Sequence, residues 1–131
     1  MAIFNNHSPE ILTLLFLIVT FSLSSYEKIS DWKGNVSFIK NHFKNSPLKN
    51  GVPFLVLVLL ILEILACIFM FVGIYDLSTT GQKEFALIGV EISSISLIFM
   101  LIGQRLAKDY AGAMNLSIYF IITVFALFLL Q

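Results

Sequence analysis

Apolar residues fall along this chain in four long runs separated by short polar punctuation, at residues 9–26, 52–75, 85–103 and 110–130. Each run approaches the roughly 20 residues that an α-helix needs to cross the hydrocarbon core of a bilayer. Helix is the expected state because backbone groups in lipid must be paired within their own segment, and four strands cannot close a barrel. The punctuation agrees. Ser8-Pro9-Glu10 offers an N-cap, a proline at the first helical position and a carboxylate in the first turn. Gly51-Val52-Pro53 opens the second run with a turn and another early proline, Thr79-Thr80-Gly81-Gln82 offers a capping box before the third, and Asp109 can cap the fourth. The connection at 105–109 is so short that the third and fourth spans must be antiparallel neighbours.

The one long connection, residues 27–50, carries a pattern of its own. Trp32, Val36, Ile39 and Phe43 fall at i, i+4, i+7 and i+11, an apolar stripe of helical period, while Lys33, Lys40 and Lys44 lie off it. Lys28 and Lys49 stand beyond its ends. The spacing predicts a short amphipathic helix over about 29–45, lying in the headgroup region with Lys28, Lys33, Lys40 and Lys44 reaching lipid phosphates or a docking partner. The alternative is a loop folded over the end of the bundle. The predicted fold is therefore all-α, an integral membrane four-helix bundle in a single domain, with an amphipathic interfacial segment between helices 1 and 2.

Composition supports lipid as the solvent. The chain has 131 residues, of which 58% are hydrophobic and 12% charged, and its mean hydropathy is +0.92. Soluble domains run nearer 45–50% apolar and about 25% charged, and a chain this short has too little interior to hide so many Leu, Ile and Phe from water. Net charge is zero, so no global field points to nucleic acid as a partner. The lone Cys67 excludes an internal disulfide or a CxxC redox pair. Basic residues are one-sided: Lys28, Lys33, Lys40, Lys44, Lys49, Arg105 and Lys108 share one side, and only Lys83 stands on the other. The positive-inside rule then places the long connection in the cytoplasm and both termini outside it. The first run lacks a basic n-region and is long for a signal sequence, so it is expected to stay as a span.

An ionisable side chain inside a membrane span is a functional-site hypothesis by default, and Glu63 and Glu91 stand out. Glu63 lies eleven residues past Val52, ~16 Å along a helix, and Glu91 lies seven past Glu84, ~10 Å from the opposite side. In a core ~30 Å thick the two carboxyls could meet at one level. Burial and a neighbouring carboxylate both disfavour charge, so the expectation is a neutral Glu63 at pH 7 that donates a hydrogen bond to a facing group or ligand. Polar or small stripes accompany them: Thr13, Thr20 and Ser24 in the first span; Ala66, Cys67 and Met70 beside Glu63; Gly89, Ser93, Ser96 and Gly103 in the third, with Ser94 near Glu91; Asn115, Tyr119 and Thr123 in the fourth. Glu63, Glu91, Tyr119, Asn115 and Ser94 are the candidates for holding a ligand or handling protons. The competing reading makes the stripes packing glue, since small residues let helices approach and hydroxyls bond across the contact. Several chemistries lack their parts. His7 and His42 lie outside the spans where haem ligands would sit, no zinc ligand set exists, and there is no phosphate-binding glycine loop or ordered nucleophile–base set.

Four stretches resemble one family. Residues 21–32, Phe21-Ser22-Leu23-Ser24-Ser25-Tyr26-Glu27-Lys28-Ile29-Ser30-Asp31-Trp32, resemble the end of the first helix of DoxX-like membrane proteins. Leu62-Glu63-Ile64-Leu65 resembles that family's membrane Glu, and Gly103-Gln104-Arg105-Leu106-Ala107 the basic end of its third helix, with residues 110–131 similar to its closing span. Ser25 stands where the family usually has Gly, and the first helix lacks an Arg near its start. The resemblance implies a bacterial inner-membrane protein, in some members linked to quinone-coupled oxidation. Two functional expectations follow. The first is a non-enzymatic accessory subunit that packs beside other membrane proteins and holds a lipid or quinone, with Arg105 and the lysines docking anionic lipid. The second is a membrane subunit of a quinone-linked oxidoreductase, with Glu63 and Glu91 handling protons and Tyr119 positioning the ring. A third reading, a small proton pathway or transporter, needs an oligomer to form a pore.

Overall fold

The computed structural model describes residues 2–131, with side chains from His7 onward. Five helices follow in order: α1 Ala2–Ser30, α2 Trp32–His42, α3 Val52–Thr79, α4 Glu84–Leu106 and α5 Tyr110–Leu130. Among the described residues there is no strand. Four of the helices, α1 from His7 onward, α3, α4 and α5, are long and apolar enough to cross a membrane.

Helix ends follow local chemistry. In α1 the backbone leaves helical geometry at His7 (φ −128°, ψ 25°), two residues before Pro9. The helix therefore restarts at Ser8, which puts Pro9 in a first turn where its missing N–H leaves no bond unmade. Gly51 caps α3 with Pro53 in its first turn, and the Asp109 side chain accepts from Gly112 N–H at 2.9 Å to cap α5. The expected capping box before α4 does not form. Gly81 takes φ +75°, and the N–H groups of Thr80 and Gly81 both bond Asp76 O. The segment thus spends its special residues ending α3 in a left-handed cap, and α4 starts at Glu84 with no side-chain cap.

α3 packs between α1 and α4, α4 packs also on α5, and α5 closes back on α1 over a smaller contact. Small residues set the α3–α4 seam. A methyl added at Gly73 would sit 2.5 Å from Ala86 Cα, and one at Gly89 would sit 2.7 Å from Met70 Cγ. The two backbones approach closely only because neither position has a Cβ. The centre is filled by Leu14, Leu17, Phe21, Ala66, Met70, Val90 and Ala126. α2 folds back over the end of this assembly. Val36 is buried and Trp32, Ile39 and Phe43 half-buried, while Lys33, Lys40 and Lys44 are exposed. The apolar stripe of α2 is thus turned onto the other helices, chiefly α1 and α3.

Candidate functional site

α1 runs toward α2 and α3 runs away from it, so the last turns of α1 lie beside Glu63. There a polar cluster forms. Lys28 Nζ lies 3.1 Å from Glu63 Oε1 and 3.3 Å from Oε2. Ser24 donates to Oε1 at 3.1 Å and Ser25 to Oε2 at 3.3 Å. Lys28 also donates to Ser24 Oγ at 2.7 Å. Glu63 is fully buried, and the Lys28 side chain is 12% exposed. Spacing explains the arrangement: Ser24 and Lys28 sit four apart on one helical face, so the lysine stem lies along the serine and its ammonium reaches inward.

Each Glu63 oxygen faces the ammonium and one serine hydroxyl. One expectation is corrected. Lys28 does not extend toward headgroups with the other lysines, because its charge is spent on Glu63. A lysine near the end of a span has a stem long enough to point either way, and the buried carboxylate decides the direction.

The other proposed site residues lie apart from the cluster. Glu91 is exposed on α4 and makes no hydrogen bond or ion pair among the described residues, so the two carboxyls do not meet. Asn115 is exposed, and Tyr119 is half-buried and stacks on Phe16 with ring centroids 6.3 Å apart. Ser94 is buried, yet its hydroxyl returns to Val90 O at 3.0 Å within its own helix. Thr13, Thr20, Ser93 and Thr123 likewise bond backbone oxygens of their own helices. Arg105 lies over the Tyr110 ring, 5.1 Å from its centroid. Among the described residues no three His, Cys, Asp or Glu side chains gather to hold a metal ion.

Next to the Lys28–Glu63 pair, beneath α2, is an apolar cavity of about 550 Å³. Phe38 and Ile39 of α2 and Phe43 just after it form one side, Val56 and Leu59 of α3 and Met100 and Gly103 of α4 the other, and Lys28 reaches it from α1. The far end of α2 is fastened to α4 and to the cap of α5. His42 Nε2 lies 3.0 Å from Gln104 Oε1 and 3.4 Å from Asp109 Oδ2, and the open space over Gly103 admits the Phe43 ring. Apart from the cavity lining, Ser96 Oγ on α4 is buried with no hydrogen-bond partner among the described residues. Met70 packs on Gly89; two turns further along the same antiparallel seam, Glu63 stands level with Ser96.

Sequence reading missed Ser25, His42, Gln104, Asp109 and Phe43 as parts of this region. The spacing of Ser24 and Lys28, four apart, was the one local signal that could have joined them; the fastening of α2 joins residues some sixty positions apart, as His42 and Gln104 are. The chain matches no protein-family model, no curated protein and no solved structure.

Proposed function

We propose that this chain is a multi-pass membrane protein, an accessory module that holds one largely apolar ligand, a lipid or a quinone, in the cavity beneath α2. The observation that carries the reading is the cavity itself. Its volume falls within the ~300–1,000 Å³ of small-molecule sites, and it has their usual character, apolar walls with a few convergent polar groups. His42, Gln104 and Asp109 supply polar groups at one end, and Lys28, engaged with Glu63 and Ser24, bounds the inner wall. An ionisable pair inside a membrane span is a functional-site hypothesis by default. The four long apolar helices and the resemblance to DoxX-like proteins support a bacterial inner membrane as the location. The one-sided lysines support the orientation with α2 in the cytoplasmic headgroup layer and both termini on the periplasmic side. Lys33, Lys40 and Lys44 are then free to meet anionic lipid.

The test is purification in mild detergent at native abundance, followed by organic extraction and mass spectrometry of what accompanies the chain. A stoichiometric quinone or lipid, lost when Leu59→Trp fills the cavity, supports the reading. An empty protein that binds neither when reconstituted with total membrane lipid would refute it. Accompanying membrane subunits in the same preparation identify the complex it serves.

A further inference from the structure

The carboxyl that the cavity does not use is Glu91. Read along α4, Glu84, Ile88, Glu91, Ile95, Ile98, Ile102 and Arg105 recur at alternating intervals of four and three, and all seven are exposed. That is a heptad stripe, with Ile88, Ile95 and Ile102 at one repeating position and Glu91 and Ile98 at the other. Exposed isoleucine on a helix in lipid needs no explanation, because acyl chains are as apolar as isoleucine. Glu91 does. It lies ~10 Å along the helix from Glu84, too deep for so short a side chain to reach the aqueous layer, and has no partner among the described residues. A carboxyl facing acyl chains there is costly, so something must cover it.

From this we infer that α4 is the face on which two copies of this chain meet, side by side and parallel, with Glu91 sharing a proton with Glu91 of the second copy across a two-fold axis. Three observations select a second copy. The one-sided basic residues give every copy the same orientation, so paired α4 helices run parallel and each stripe residue meets its own counterpart. A carboxyl is self-complementary: one that keeps its proton donates to one that has lost it, the arrangement two carboxyls adopt when they cannot both ionise. The 3.5-residue period keeps one stripe against another along the whole span, with β-branched Ile at every turn of the first position. A contact of this kind needs the membrane setting proposed above, but not the cavity ligand.

The experiment uses the full chain in phospholipid vesicles. With Cys67→Ser as background, Ile95→Cys should give a disulfide-linked dimer on mild oxidation, and Phe128→Cys, exposed on α5, should not. Fluorescence energy transfer between labelled copies, followed as lipid dilutes them, should show Glu91→Leu dissociating about tenfold more readily. Glu91→Gln, which keeps a donor and an acceptor, should stay close to the native chain. A monomer at every protein-to-lipid ratio overturns the inference, as does cross-linking through Phe128→Cys in preference to Ile95→Cys. So does a dimer that Glu91→Leu leaves unchanged, or a different membrane protein captured by Glu91 in place of a second copy.

Discussion

Replacing Lys28 with Met tests whether the Lys28–Glu63 pair holds α1 to α3. Methionine keeps most of the stem volume and removes the ammonium, leaving Glu63, which has no exposed surface, with only the Ser24 and Ser25 hydroxyls. Removing one partner of a buried pair typically costs about 3–5 kcal/mol, because the survivor is an uncompensated charge. Glu63 has one escape, uptake of a proton, and this sets a ceiling: for a carboxyl of ordinary acidity, holding a proton at pH 7 costs about 3.7 kcal/mol. The expected loss for Lys28→Met is therefore about 3–4 kcal/mol.

Removing both partners is a different perturbation. Lys28→Met combined with Glu63→Leu leaves an apolar contact of similar volume, and such replacements are often neutral or stabilising. The double variant should lie within about 1 kcal/mol of the native chain, giving a coupling of several kcal/mol between two sites that would otherwise add. Reversible unfolding in mixed micelles, followed by far-ultraviolet circular dichroism and by the fluorescence of the single Trp32, reads all four corners of the cycle. If Lys28→Met costs under 1 kcal/mol, or the two changes simply add, the pair does not hold these helices together.

Further expectations concern the seam, the caps and the cavity. Gly73→Leu drives a side chain into the Ala86 backbone and should part α3 from α4, costing at least the ~1–3 kcal/mol of core overpacking, read as a lowered Tm in detergent. Gly81→Ala puts a Cβ on a residue at φ +75° and should cost about 1 kcal/mol by the same unfolding measurement. Asp109→Ala removes the α5 cap and one of the groups facing His42. It should cost about 1 kcal/mol of stability and raise hydrogen exchange across α2, whereas loss confined to α5 would show that the fastening of α2 does not depend on Asp109.

Much of the fold was legible because helix length and capping are local properties. Pro53 and Asp109 sit in the first turn and at the cap of α3 and α5, where their chemistry places them. The errors have local causes as well. Thr80 and Gly81 carry the letters of both a helix start and a helix stop, and only the left-handed backbone at Gly81 decides for the stop. The site was half legible. Glu63 was singled out by its cost in an apolar run, yet nothing in a run of Leu and Ile tells which face of α3 is covered, because lipid and protein reward the same side chains. For that reason Glu63 and Glu91 read alike in sequence and part in the structure, one at the centre and one outside. Hydroxyls are ambiguous for a related reason: Ser94 and Thr20 bond their own helices, whereas Ser24 and Ser25 bond across to another, and both patterns satisfy the same letters.

Turning Lys28 inward also bears on how the cavity is reached. Its charge no longer counts toward the basic side of the protein, but Lys33, Lys40, Lys44, Lys49, Arg105 and Lys108 remain there. On the opposite side Lys83 is engaged, 3.2 Å from Leu129 O and 3.9 Å from Glu10. The bias that orients the chain therefore survives the correction and grows more lopsided in free charge. The cavity lies at the lysine-rich end, under α2, so on the proposed orientation its mouth meets the cytoplasmic leaflet. At that end α2 is held by the contacts of His42 with Gln104 and Asp109 and of Phe43 over Gly103, while the exposed Phe54, Phe99 and Ile102 leave the cavity open between the spans as well. These few polar and aromatic contacts are far easier to open than the α3–α4 seam, where two glycines bring the backbones together.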